Sequence, residues 1–117
     1  MSLVNEQAQF LKDVTKLIEF ASAQGFVVTG GELWRPVEMQ ELYVRTGRSK
    51  TMSSNHLKRC AIDLNFFVQQ NDQLSLTYDV PTLKPLGDYW ESLTPGKNSW
   101  GGNWSSFKDV PHFERRG

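Results

Sequence analysis

The chain has 117 residues, which is enough for one domain with a sizeable core and too few for two. Its 13 basic and 13 acidic side chains cancel, which argues against a nucleic-acid binder that works through bulk charge. With 38% hydrophobic and 12% aromatic residues the composition is globular, and the one cysteine excludes an internal disulfide.

The N-terminal segment predicts a helix followed by a strand. Charges interrupt it too early for a signal peptide or a membrane span, so we expect synthesis in the cytoplasm, without an export signal or an integral membrane segment. Over residues 3–24 apolar side chains recur at helical spacing, which predicts one buried face. That face comprises Val4, Ala8, Leu11, Val14, Ile18 and Ala21. Ser2 or Asn5 can cap the helix and Gly25 can end it, and residues 26–29 then form a predicted buried strand.

The middle of the chain predicts a second helix, a long loop and a hairpin. Pro36 suits the start of a helix that continues to Gly47, and the polar residues 47–59 indicate a loop. Residues 61–68 alternate as a strand, and residues 74–76 can form the return strand. One face of the first strand carries Ile62, Leu64 and Phe66, and the other carries Ala61, Asp63 and Asn65.

The C-terminal third predicts a helix over residues 82–93, a loop rich in Gly, Ser, Asn and Trp over residues 94–109, and a short strand over residues 110–114. Helices and short strands in mixed order predict a single α+β domain with a small antiparallel sheet.

The chain has two histidines, and both lie near acidic residues. His56 comes seven residues before Asp63, and Asp109 comes three residues before His112. Two imidazoles and one carboxylate can hold a catalytic zinc ion, while a further carboxylate accepts the proton of the attacking water. His56, Asp63 and His112 are the candidate ligands, and Asp109 is the candidate general base and acid. The alternative is a surface-loop histidine and a half-buried strand histidine without a metal, although an aspartate among core-forming residues then needs another partner.

Three segments carry a resemblance to a known family. Residues 54–64 resemble the Ser-Xaa-His-(six residues)-Asp signature of the zinc peptidases that include D-alanyl-D-alanine carboxypeptidases and phage L-alanyl-D-glutamate endopeptidases. Residues 100–104 and 107–114 resemble the C-terminal signature of its phage endolysin-like branch, and residues 35–43 resemble its upstream arginine segment. The resemblance covers about residues 26–114, and two motifs in the right order are more specific than either alone.

The resemblance implies a fold and a set of roles. The fold is a small antiparallel sheet with flanking helices and a zinc site at the sheet, as in the D-Ala-D-Ala carboxypeptidase/Hedgehog-like fold. Zinc is held by His56, Asp63 and His112. Asp109 is the catalytic carboxylate, and Arg35 stabilises the anionic intermediate or holds a substrate carboxylate.

Further residues near the site have two interpretations each. Ser54 is expected to contact substrate or orient the metal loop, and Arg48 either binds a stem-peptide carboxylate or is solvated. Trp100 and Trp104 either line the substrate groove or support the catalytic loop. Glu114 contacts His112 or, by default, lies at the surface.

Two residues qualify the resemblance. Arg59 stands where relatives often have glycine, which puts the loop geometry in question rather than the ligands. Cys60 could be a further ligand, but a small buried hydrophobe is favoured because a fourth protein ligand would close the site.

The function expected from the resemblance is zinc-dependent hydrolysis of an amide bond in peptidoglycan stem peptides, between L-Ala and D-Glu. D-Ala-D-Ala carboxypeptidase or dipeptidase activity is the alternative bond specificity, and a non-catalytic zinc- or wall-binding module is the alternative class. We expect a monomeric phage or prophage endolysin that reaches the wall after holin-mediated release.

Overall fold

The computed structural model describes residues 2–31, 42, 45–46, 60–106 and 108–116. These residues contain helix α1 (Leu3–Ala23), strands β1 (Val27–Gly30), β2 (Ala61–Gln70) and β3 (Gln73–Thr77), helix α2 (Val80–Leu93), and strands β4 (Asn98–Trp100) and β5 (His112–Arg115). A 3₁₀ turn, Gly101–Asn103, follows β4 directly. Apart from Leu42, Arg45 and Thr46, the predicted second helix and the polar loop lie outside the described residues.

The strands form one antiparallel sheet, as the sequence predicts, and the structure shows that β2 is its central strand. One edge of β2 pairs with β1, and its opposite edge pairs with β3 along one half and with β5 along the other. Strand β4 then pairs with β5. The tight β2–β3 turn places Asn71 and Asp72 at φ of 49° and 64°, a backbone that two-residue hairpins require. Because β2 changes partners along its length, its first residues lie beside the C-terminal strand.

The hydrophobic core lies between one face of the sheet and the helices α1 and α2. Phe113 at its centre packs edge-on against Phe66 and Trp90 and is stacked with Trp100. The fully buried members are Phe10, Leu17, Ala21, Leu64, Phe66, Leu83, Leu86, Trp90, Trp100 and Phe113. Asp79 caps α2 by accepting from the amide of Thr82, so the helix begins two residues before the predicted start.

The predicted buried face of α1 is wrong for four of its six residues. Val14 and Ala21 are buried, but Val4, Ala8, Leu11 and Ile18 are exposed. The buried face instead contains two acidic residues, and it comprises Glu6, Phe10, Asp13, Val14, Leu17 and Ala21. Those two carboxylates are hydrogen-bonded to groups of the C-terminal half. A hydropathy pattern assigns acidic residues to the solvent side of a helix. The predicted buried face of α1 is therefore rotated away from the observed one.

Two further expectations need correction. Strand β1 is largely exposed rather than buried, with Val27 44% exposed, because it is an edge strand of the described sheet. The predicted loop over residues 94–109 contains β4 and the 3₁₀ turn, and residues 110–111 form a turn, so the last strand begins only at His112.

Candidate metal centre

Strand register brings Asp63 and His112 together. The two residues are directly paired across β2 and β5, so their side chains leave the same face of the sheet. His112 Nδ1 lies 3.5 Å from Asp63 Oδ1. Asp63 shares this face with Asn65, whereas Leu64 and Phe66 point into the core, as the alternation predicts.

A turn adds the second carboxylate. The amide of His112 donates to the carbonyl oxygen of Asp109 at 3.1 Å, so the intervening Val-Pro pair folds the chain back on itself. Asp109 Oδ2 thereby lies 4.0 Å from His112 Nδ1. The His112 side chain is 7% exposed and that of Asp109 49%. The turn therefore places one solvent-accessible carboxylate beside a buried imidazole.

The donor set fits a zinc ion. One ligand atom from each of Asp63, Asp109 and His112 lies within 4.8 Å of the others. Two ligand atoms of one tetrahedral zinc ion, at bond lengths of about 2.0–2.1 Å, lie roughly 3.3 Å apart. The 3.5 Å separation of Asp63 Oδ1 and His112 Nδ1 is close to that value. Imidazole nitrogen and carboxylate oxygen are also the donors that zinc takes in catalytic sites.

Charges around His112 make the centre strongly anionic. Burial by itself lowers the pKa of His112, but hydrogen bonds to Asp63 and Glu114 and the charges of Glu114 and Asp109 raise it to about 9. Burial raises the pKa of Glu114, whereas His112 and Arg116 bring it below its usual 4.5 overall. Three carboxylates around one ring are also surroundings that favour the binding of a divalent cation.

Glu114 is buried, which corrects its default assignment to the surface. It lies on the same face of β5 as His112, and its Oε1 is 2.7 Å from His112 Nε2. Arg116 Nε donates to its other oxygen at 2.6 Å. The His-Phe-Glu spacing in the sequence indicates that the side chains of His112 and Glu114 share one face of the strand. It does not indicate that these side chains are buried.

Trp100 and Trp104 occupy different environments. Trp100 is fully buried, and its indole N–H donates to the carbonyl of Val110 at 2.7 Å. This position matches the alternative of support for the catalytic loop. The ring of Trp104 is half-buried and lies 5.2 Å from that of His112, while its N–H donates to Ser99 Oγ. Trp104 therefore borders the centre.

A carboxylate that the sequence did not single out supports the same loop. Glu91 of α2 accepts from the amide of Trp100 at 3.0 Å and from the side-chain amide of Asn103 at 3.1 Å. It ties the 3₁₀ turn to the helix. Its only sequence signal is a position on the predicted helix, which does not distinguish it from a solvated residue.

The remaining predicted residues divide into two groups. Cys60 is buried directly before β2, and the cluster of potential ligands among the described residues does not include it. The others lie outside the described residues; they are Arg35, Arg48, Ser54, His56 and Arg59.

Comparison with known proteins identifies the family. The D-alanyl-D-alanine carboxypeptidase family matches residues 47–115, more than half of the chain. The chain belongs to this peptidase family. The match spans both signature segments, from before His56 to beyond His112, and it confirms the resemblance seen in the sequence.

Two proteins named as L-Ala–D-Glu enzymes are similar to this chain. The L-alanyl-D-glutamate peptidase of Listeria phage A118 is 32% identical over 103 residues, which are 85% of this chain and 34% of the phage protein. The chain thus spans about a third of that relative's length. The crystal structure of the Serratia marcescens L-Ala D-Glu endopeptidase ChiX matches with a TM-score of 0.67 at 24% identity, over 89% of this chain and 78% of that one. This likeness confirms the predicted fold class.

None of the helices in the described part of the chain has the length and apolar character needed to cross a bilayer.

Proposed function

We propose that this chain is a zinc-dependent peptidase that hydrolyses the L-Ala–D-Glu bond of peptidoglycan stem peptides. The observation that carries the proposal is the convergence of Asp63, Asp109 and His112 on one face of the sheet. Family membership supports a peptidase, and the name of the 32% identical phage relative supports this bond.

The ligands that we propose for zinc are His56, Asp63 and His112. When bound, the ion supplies a Lewis acid that polarises the scissile carbonyl and lowers the pKa of the attacking water. Asp63 and His112 are rigidly placed because both belong to paired strands. Ligand atoms that are already held in place lose little conformational freedom when the metal binds, which favours tight retention of the metal.

Asp109 is the proposed general base and acid. Its carboxylate lies within 4.8 Å of the ligand atoms of Asp63 and His112, and its 49% exposure leaves room for water and substrate. It accepts the proton of the attacking water and then gives it to the leaving amine as the C–N bond breaks. A module that only binds zinc or wall needs no carboxylate here, so the position of Asp109 favours an enzyme.

Other residues are proposed to contact the substrate or the reaction intermediate. We propose that Arg35 stabilises the anionic tetrahedral intermediate or holds a substrate carboxylate, through charge-assisted hydrogen bonds. Ser54, Arg48 and Trp104 are proposed substrate contacts, and Trp104 already borders His112. Because the indole of Trp100 is fully buried, we assign it to loop support instead.

A second specificity remains a candidate because the matching family is described as D-alanyl-D-alanine carboxypeptidase. In that case the same proton transfers operate on the D-Ala–D-Ala bond, which lies at the other end of the stem. The two specificities release different products, so one digestion distinguishes them.

The test is mass spectrometry of muropeptides after purified walls are digested. Cleavage at L-Ala–D-Glu yields fragments with a new amino terminus on D-Glu, whereas carboxypeptidase cleavage releases D-Ala. Asp109→Ala should abolish the products while zinc binding persists. Asp88→Ala, which removes an exposed carboxylate of α2, should digest like the wild type. Digestion by Asp109→Ala at the wild-type rate would refute the proposed base.

We also propose that residues 1–117 form a single, monomeric peptidase domain of phage or prophage origin that meets the wall after holin-mediated release. The phage origin of the 32% identical relative supports this placement. Light scattering of the purified protein tests the monomer, and wall lysis that depends on a co-expressed holin tests the route.

A further inference from the structure

The ring of His112 has a different carboxylate at each nitrogen. Nδ1 faces Asp63 Oδ1 at 3.5 Å and Asp109 Oδ2 at 4.0 Å, on the side of the ligand cluster. Nε2 faces Glu114 Oε1 at 2.7 Å. The contact with Glu114 is a short hydrogen bond, whereas the contacts of Nδ1 with the two aspartates are longer. Nε2 of the ring therefore faces Glu114, and Nδ1 faces the two aspartates of the centre.

This arrangement selects a tautomer. A carboxylate only accepts, so Nε2 must carry the hydrogen that Glu114 receives. In a neutral imidazole that carries its hydrogen on Nε2, the lone pair is on Nδ1. That is the nitrogen beside Asp63 and Asp109, and so the hydrogen bond presents the lone pair where the other donor atoms converge.

Glu114 is held as firmly as His112. It lies in the middle of the three-stranded part of the sheet, opposite Ala61 on one side and Ser99 on the other. It is 6% exposed, and Arg116 engages its second oxygen. A buried carboxylate needs such partners, and with them it acts as a fixed acceptor rather than a mobile one.

We propose that Glu114 is a positioning residue for the metal centre: it fixes the tautomer and ring orientation of His112 so that Nδ1 is the zinc donor. The inference rests on the zinc site of the proposed function, but not on the bond that is cleaved. Partners of this kind, hydrogen-bonded to a ligand histidine, typically contribute 10- to 100-fold to metal affinity.

The decisive measurement is zinc affinity of metal-free protein, determined by competition with a chromophoric chelator at constant pH. Glu114→Ala should weaken zinc binding about 10- to 100-fold. Glu114→Gln keeps an oxygen that can accept from Nε2, so it should recover part of that loss. The matched control is Glu6→Gln, which changes another buried, arginine-paired carboxylate that does not touch His112. Its zinc affinity should equal that of the wild type.

A second measurement on the wild type keeps the inference testable if Glu114→Ala fails to fold. Long-range ¹H–¹⁵N NMR of the zinc-loaded protein should show the His112 ring protonated at Nε2 and coordinated through Nδ1. Coordination through Nε2, or wild-type affinity in Glu114→Ala, would overturn the inference. If the wild type binds zinc as expected but leaves muropeptides intact, the proposed function fails and the role of Glu114 stands. If the wild type binds no zinc, both fail.

Discussion

The amide of Asp109 donates to the carbonyl oxygen of Gly101, with 3.1 Å between nitrogen and oxygen. The two backbones are packed so closely that a Cβ at Gly101 would overlap the carbonyl oxygen of Asp109. The turn after β4 is thus the support on which the proposed base rests. Glycine is required there for space rather than for an unusual φ.

Gly101→Ala should therefore reduce peptidase activity while zinc remains bound. The added methyl group must push the Asp109 segment away, and a displacement of about 1 Å at a catalytic group can cost roughly 100-fold in rate. Muropeptide digestion rates and zinc content per chain measure the two effects. Gly30→Ala is the matched control, because apart from its two chain neighbours no described residue lies within 4 Å of the Cβ it adds. Full activity in Gly101→Ala would show that Asp109 does not need this support.

Removal of zinc should lower the melting temperature. A ligand bound only by the folded state stabilises it by about 2.7 kcal/mol when present at 100 times its Kd. Thermal melts with and without a chelator measure the difference. Asp63→Ala should melt at the same temperature in both conditions because it lacks a ligand, whereas Asp88→Ala should respond like the wild type. A chelator response that survives in Asp63→Ala would mean that the ligand is misassigned.

The sequence grouped three residues that converge in the candidate site, but it did not predict the packing around them. Spacing alone was a weak signal for a metal site, and it was the resemblance to a known family that grouped Asp63, Asp109 and His112 before the fold was known. The burial of Glu114 depends on β4 and β5 lying side by side. Strand β4 has only three residues and no alternation long enough to be recognised.

The buried face of helix α1 was harder to predict than the strands, because it contains a buried aspartate. Asp13 is completely buried, and it accepts from Gln9, Thr94 Oγ1 and Asn98 Nδ2. Hydrogen bonds with partners 81 and 85 residues away offset the cost of burying this carboxylate. No local sequence pattern reveals those partners. A polar residue with distant partners has the same local signature as a solvated one.

Phe113→Ala should cost about 3–5 kcal/mol of unfolding free energy, since deleting a buried aromatic ring leaves a cavity. The ring lies 5.8 Å from that of Phe66 and 5.9 Å from that of Trp90, and it is fully buried. Urea denaturation of the metal-free protein measures the loss apart from zinc. Leu76→Ala, on the exposed strand β3, should stay within about 0.5 kcal/mol of the wild type. A similar loss in both variants would contradict a core centred on Phe113.

Glu6→Gln should destabilise the protein at neutral pH but not in acid. Hydrogen bonds from Lys97 Nζ at 2.9 Å and Arg115 Nε at 2.5 Å hold the pKa of Glu6 below its usual 4.5. A lowered folded-state pKa contributes stability that is fully present above the unfolded pKa and is lost as pH falls through the folded one. The melting temperatures of wild type and variant should therefore differ at pH 7 and converge below pH 4.5. Parallel curves across that range would show that the ion pairs with Lys97 and Arg115 do not stabilise the fold.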